Sequence, residues 1–425
     1  MTRVVVIGAG ISGCLAALTA KQKAPEASVS IISTAPDRYE HERGTIDVLG
    51  YSPEKTGPIE RPLFESRNLP ESHPYRRLGR LTVQNALDTV DDLLVDDEVL
   101  PYCSGTTRNA LVPTPLGGFR PVSRYPAGMR AGVLSNQQPM KLVGFEEVSH
   151  LDAELAGGRL DEVTPYDVTS MTVEFPVEPD SYPPLFEFAN ALDENRETED
   201  GTPVREALAA SVRPELDIEP RVGFPAMLGL VEHESVRKEL ESRLQAEVFE
   251  VPVGEPSVPG VRLRRRLFEL LDAADVDPVE ATCEGFDTDG ETIRSIHLDE
   301  RSDSAGENTI QGDAFVLATG GLAAGGLVAS FEGVREPVFD CPVSHPEDVR
   351  AWSDRNPLGD HPFARFGVET TSELRPRSPG GQALYSNLYA AGAVLGGHNF
   401  VSDLSRTGVA VVTGYEAGRR AVAED

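Results

Sequence analysis

A chain of 425 residues, 40% apolar and 25% charged, has the composition of a soluble globular protein and the length for two or three domains. Its 39 basic residues face 69 acidic ones, a net charge of −30, and lysine at only positions 21, 23, 55, 141 and 238 leaves 34 arginines. Acids dispersed this evenly exclude a disordered acidic tail, argue against nucleic acid or anionic lipid as a direct partner, and point to a salt-filled cytoplasm, where screening over roughly 3 Å removes the self-repulsion.

The first element is Val4–Ile7, apolar without alternation, as in a strand buried on both faces. Gly8, Gly10 and Gly13 follow in G-x-G-x-x-G spacing, then the helix-forming stretch CLAALTAKQKA and a second apolar strand at Val29–Ile32. In this βαβ context Gly8 permits a tight turn, Gly10 lets backbone approach a phosphate, and Gly13 lets helix pack on strand. The helix start offers N–H groups to an anion, and Ser12 adds a hydroxyl. A unit of this kind usually ends its second strand in an acid that takes a ribose. Ser33 and Thr34 stand there instead, and Asp37 comes four residues after Ser33.

From about residue 106 the pattern changes. TPLGGFRPVSRYPAGMRAG reads as hairpins, and strands and helices then alternate to about residue 252. The expected organisation is therefore a discontinuous ligand-binding domain, 1–105 and 253–425, with an inserted α/β cap domain at 106–252 and a cleft between them. After the insertion a helix starts behind Pro259-Gly260, and a hairpin turns at Asp289-Gly290. A buried strand ends at Thr319-Gly320-Gly321. NLYAAGAVLGG is a strand running into a glycine turn, and TGVAVVTGYEAGRRAV is the closing helix.

Three strands that each open into glycine at their C-terminal ends would share one edge of a parallel sheet. A long ligand on that edge would meet backbone from all three, the layout of a two-domain flavoprotein with a Rossmann-like flavin-binding domain. Cys14, Cys103, Cys283 and Cys341 form no C-x-x-C pair, and the eight histidines show no paired spacing, so no metal site is expected. No signal peptide precedes the first strand, and the uncharged run 314–331 is too glycine-broken for a membrane span.

RGTIDVLG (43–50), HPYRRLG (73–79), PSVPGVRL (256–263), REPVFD (335–340), FGVETTSELRP (366–376) and NLYAAGAVLGG (387–397) recur in order along the chain. Together they resemble the B-type flavoprotein subunit of the anaerobic glycerol-3-phosphate dehydrogenase, in a halophilic version. The resemblance implies a flavin subunit of a three-part complex. In it a separate FAD subunit oxidises glycerol 3-phosphate to dihydroxyacetone phosphate. An iron–sulfur subunit passes the electrons to quinone and docks the assembly, so this chain would be cytoplasmic, at the inner face of the membrane only through a partner. The cofactor it implies is FMN, with FAD as the alternative. The missing acid favours FMN, which has no adenosine ribose to hold.

The residues expected on the flavin are Gly8, Gly10, Ser12, Gly13, Ser33, Arg43, Gly44, Thr45, Thr319, Gly320, Gly392 and Leu395. Arg375, Arg262 and His398 are the catalytic candidates, each arginine being equally readable as the partner of an acid. HNFVSDLSRTG lacks the glycine-rich run of the family before the closing helix, which leaves ring contacts by His398, Asn399 and Thr407 open. A free-standing flavin oxidoreductase acting on a small anionic substrate in the cleft is the competing reading, and a scaffold without flavin is the third.

Overall fold

The computed structural model describes residues 1–34, 43–54, 56–105, 107–179, 184–217, 219–254, 256–299, 308–357 and 359–423. The described residues fall into two compact units, one drawn from Met1–Arg38, Asp47–Leu93 and Arg266–Asp425, the other from Tyr39–Ile46 and Leu94–Arg265. The span 106–252 lies inside the second unit. Both units are α/β, so the chain has the two-domain α/β architecture, with a Rossmann-like unit and an inserted α/β unit.

The first unit is built on five strands: β1 (Arg3–Ile7), β2 (Ser28–Ser33), β3 (Asp277–Glu280), β4 (Ala314–Leu317) and β5 (Leu388–Ala390). They lie in the order β3-β2-β1-β4-β5, and every pairing is parallel. Val4, Val5, Val6, Phe315, Val316 and Leu317 are essentially inaccessible, which is why these central strands read as unbroken apolar runs. β3 is different. DPVE carries a proline and two acids, and Val279 is its only buried residue. It is an edge strand without the apolar run that marks its neighbours, so sequence pattern does not separate it from the hairpin that follows.

Two helices cover this sheet, α1 (Ile11–Lys23) and α2 (Arg406–Ala421). Residues 11–20 of α1 are all buried. The two helices meet backbone to backbone: a Cβ on Gly414 would stand 2.3 Å from the Ser12 carbonyl oxygen, and one on Gly418 would stand 2.1 Å from that of Ala16. These two glycines draw the last helix of the chain onto the first.

The second unit holds four parallel strands in the order Glu247–Val251, Arg221–Pro225, Met140–Phe145, Val168–Val173. Helices Ala153–Val163, Pro184–Glu194, Val204–Val212 and His233–Leu244 bury Leu160, Phe188, Leu208 and Val236 in a core with Leu142, Phe224 and Phe249. Arg221 is fully buried there; its guanidinium donates to the Gln138 carbonyl at 2.9 and 2.5 Å and to that of Ala131 at 2.6 Å.

Candidate functional site

The strand ends of the first unit are level. Ile7 is in register with Ile32 on one side and Leu317 on the other, Leu317 with Ala390, and Ile32 with Val279. The next residues continue the ladder: Gly8 N–H donates to the Ile32 carbonyl at 2.8 Å, Ala318 N–H to Ile7 at 2.8 Å, and Ala391 N–H to Leu317 at 2.9 Å. The three glycine-marked turns predicted from sequence therefore leave the sheet side by side, at the edge where open parallel sheets take ligands.

Their close approaches explain the glycines. Gly8 has φ +108°, and a Cβ there would lie 2.2 Å from the Ala318 carbonyl oxygen. A Cβ on Gly13 would lie 1.8 Å from the Gly8 oxygen. Gly10 precedes α1 in extended backbone and, as its N-cap, has no side chain to cap the helix. Ser12 is buried, and its Oγ would be 2.3 Å from a Cβ on Gly392, itself at φ +79°. Thr413 on α2, absent from the sequence-level candidates, fastens this turn: its hydroxyl accepts from Gly392 N–H at 2.8 Å and donates to the Val409 carbonyl at 2.6 Å. Gly320 turns at φ +85°, and beside it the buried Thr319 Oγ1 has no hydrogen-bond partner among the described residues. Leu395 is buried, bridged to Val368, with its N–H on the Gly392 carbonyl.

Ser33 ends β2 half-buried, and Thr34 is exposed; Asp37 lies outside the described residues. The register supplies what the second strand lacks. Glu280 of β3 is the partner of Ser33, and the Ala281 N–H donates to the Ser33 carbonyl at 3.1 Å. Partners in a parallel pair project their side chains to the same face, so an exposed carboxylate accompanies the neutral end of β2 from one strand over. Its signal in the sequence, the VEAT that closes a short edge strand, is as faint as that of β3 itself.

Arg43, Gly44 and Thr45 belong to the second unit. Gly44, at φ +73°, is pressed against Pro259, to within 2.5 Å of a Cβ, and its carbonyl accepts from the Tyr102 hydroxyl at 2.6 Å. Arg43 is exposed, with its carbonyl 3.3 Å from Ser257 Oγ, and Thr45 is buried. RGT is thereby anchored to the start of the helix Val258–Ala273.

The catalytic candidates separate. Arg262 is buried in the second unit and makes a two-pronged pair with Glu250, at 2.6 and 2.9 Å, while its Nε donates to the Gly229 carbonyl at 2.7 Å. Of its two sequence readings the structure shows the paired one. Burial pushes the Glu250 pKa up, but Arg262 and the Leu228 N–H outweigh it and hold the carboxyl below its ordinary range. Arg375 also pairs with an acid, Glu373 at 3.4 Å, which in turn holds Arg420 of α2 at 3.1 Å. Asn399 shapes its own loop, donating to Asp360 at 3.2 Å and accepting from Ser402 N–H at 3.1 Å. Thr407 lies half-buried in the first turn of α2.

His398 is 4% exposed, and its Nδ1 has no hydrogen-bond partner among the described residues. Burial, opposed by the Gly396 carbonyl and reinforced by the Arg77 guanidinium, brings its pKa down to about 4. Its ring meets that of His73 edge-on, 5.2 Å between centroids. His73 is 1% exposed, and its Nδ1 accepts from Tyr75 N–H at 3.1 Å. In the sequence His73 stands only as part of HPYRRLG; nothing in that motif says that the fold brings it to His398, 325 residues on.

Comparison with known proteins comes from two directions. Residues 3–409 match the family model for an FAD binding domain. The chain is 40% identical to the probable B-type anaerobic glycerol-3-phosphate dehydrogenase subunit of Halobacterium salinarum, covering 99% of this chain and 97% of that one. It is 26% identical to the corresponding anaerobic glycerol-3-phosphate dehydrogenase subunit of Glaesserella parasuis, covering 96% of each. The family match overturns the expectation of FMN: the cofactor is FAD. The site fits it. Level strand ends, a glycine at the N-cap of α1 and turns that admit no Cβ bring backbone, and not side chains, to the edge where a pyrophosphate would lie. The reason for choosing FMN, the absence of an acid at the ribose position, held for β2 alone and not for the edge that β3 extends.

Proposed function

The chain belongs to the family of B-type subunits of the anaerobic glycerol-3-phosphate dehydrogenase, and on that premise we propose that it relays electrons between two partner chains. One partner is an FAD-bearing subunit that oxidises glycerol 3-phosphate to dihydroxyacetone phosphate. The other is an iron–sulfur subunit on the way to quinone. FAD, when bound, supplies a carrier able to take electrons in pairs and release them singly. The chain's own residues hold and orient it: the N–H groups at the start of α1 and the backbone of Gly8 and Gly10 face the pyrophosphate, Ser12 and Gly392 set the neighbouring turn, and Glu280 accepts from the adenosine ribose.

The observation that carries this reading is the shared edge of β1, β4 and β5, whose glycine turns leave the sheet in register. The arginine candidates support relay rather than independent chemistry, since Arg262 and Arg375 are both paired with carboxylates. The four cysteines are free thiols, and on this reading the one-electron centres belong to the iron–sulfur partner. No described helix is long and apolar enough to cross a membrane, and we place the complex at the inner face of the cell membrane through the iron–sulfur partner.

The test is anaerobic reduction of the purified holo-protein in molar KCl, followed by absorbance of its flavin. Glycerol 3-phosphate should leave the lone chain oxidised and reduce it once the FAD partner is added. Rapid reduction of the lone chain would contradict the relay.

A further inference from the structure

Two buried imidazoles of the first unit carry nitrogens that the described residues leave without hydrogen bonds: Nε2 of His73 and Nδ1 of His398. Such atoms are costly, because a buried polar group without a partner forfeits the hydrogen bonds it makes in water. The tautomer of His73 follows from its other nitrogen. Nδ1 accepts the Tyr75 N–H, so a neutral ring must carry its proton on Nε2, which is therefore a donor. Burial and the neighbouring His398 keep that ring neutral. Burial keeps His398 neutral too, and we assign its proton to Nε2, which leaves Nδ1 a lone pair to offer. The two rings meet edge-on and do not satisfy one another.

A donor and an acceptor on rings whose centroids lie 5.2 Å apart call for one group that can accept and donate through a single atom. A carboxylate or phosphate oxygen only accepts, and an ammonium only donates; a hydroxyl does both. The surroundings narrow the class. Ser72 Oγ is turned away, donating to the Gly397 carbonyl at 2.7 Å. The Arg77 guanidinium, held by the Thr370 carbonyl at 2.8 Å, is close enough to act on the His398 charge, and Arg377 and Glu369 act on Arg77 in turn. The seat is thus uncharged and bordered by a cation.

We propose that His73 and His398 seat one hydroxyl of a polyol, Nε2–H of His73 donating to its oxygen and Nδ1 of His398 accepting its proton in a hydrogen bond. The polyol is either a small phosphorylated one or the ribityl chain of the bound flavin; the chemistry is the same. This goes beyond electron relay and does not need it: a lone chain that is reduced by glycerol 3-phosphate ends the relay and leaves the seat standing.

The experiment uses the full chain with FAD, in molar KCl. Calorimetry compares glycerol 3-phosphate with 3-hydroxypropyl phosphate, which lacks the central hydroxyl, on wild type and on H73F, H398F, H73Q and H398N. FAD content per chain is measured for each. If the seat takes the small polyol, the deoxy compound binds at least tenfold more weakly and H73F and H398F lose the difference with FAD content intact. If it takes the ribityl chain, H73F and H398F lose FAD at least tenfold more readily, while H73Q and H398N, which restore a polar atom near the lost nitrogen, retain it. Neither change, with phenylalanine variants indistinguishable from wild type in both measurements, means that the rings share only water and overturns the proposal. Should the phenylalanine variants fail to fold, the two ligands on wild type still decide for the small polyol, and H73A and H398A take the place of the phenylalanine variants in the FAD measurement.

Discussion

Each unit of this protein contains a parallel strand, a loop and a helix, but the two loops meet opposite fates. In the second unit the strand Arg221–Pro225 runs into a loop and the helix His233–Leu244. There the Asp193 carboxylate accepts from the N–H groups of Leu230, Val231 and Glu232 at 2.8–2.9 Å, and Glu250 accepts from Leu228 at 2.9 Å. The protein's own anions occupy the backbone donors, and Arg262 balances Glu250. In the first unit β1 runs through Gly8–Gly10 into α1, whose N-cap is a glycine with no side chain to place there. One loop is closed by carboxylates from its own chain; the other is shaped by glycine, with backbone brought to the strand ends. Fold alone does not make a cofactor site, and what decides is whether the sequence fills the strand-end loop.

The sharpest way to break this contrast is in the closed loop. Glu250→Ala strands a buried Arg262 without its counter-charge, and removing one partner of such a pair costs about 3–5 kcal/mol. Denaturant midpoints should fall accordingly, while FAD content per folded chain stays at the wild-type level. Next is the open loop. Gly8→Ala places a methyl group 2.2 Å from a carbonyl oxygen at a positive φ, which should cost about 1–3 kcal/mol and abolish FAD retention measured after gel filtration.

A third prediction concerns pH. The His398 ring takes a proton near pH 6.5 when unfolded and at about 4 when folded. Between those values the unfolded chain binds more protons, so stability must rise with pH across the window and fall on acidification. His233 of the second unit is held to about 4 as well, by burial and by Arg262, and adds to the same slope. Replacing His398 with Asn should flatten the pH dependence of the unfolding free energy, read from denaturant titrations, by up to about 1.4 kcal/mol per pH unit. The smallest effect belongs to Glu280. Glu280→Gln should leave the fold unchanged and weaken FAD about tenfold, one charge-assisted hydrogen bond, in a fluorescence titration of the apoprotein.

Much of the open unit is legible in the sequence because its strands are buried on both faces and its turns demand glycine. Val4–Ile7, Ala314–Leu317 and the glycines after them announce both their conformation and their place on the edge. β3 is not legible: an edge strand of four residues, with proline and two acids, carries no apolar pattern, and the expectation of FMN fails with it. Pairings between distant residues are equally silent. Thr413 reaching Gly392, and His73 reaching His398, are products of tertiary packing that local spacing does not encode. Arginine poses a third difficulty, since in a chain with 34 of them a catalytic guanidinium and one that balances an acid look alike until Glu250 and Glu373 are seen beside them.

The central claim, that the open loop of the first unit holds FAD, is tested most directly by releasing the chromophore of the purified protein with acid and weighing it. One FAD per chain in wild type and in Glu250→Ala, and none in Gly8→Ala, is the predicted result. A flavin without adenine, or FAD retained in full by Gly8→Ala, would contradict it.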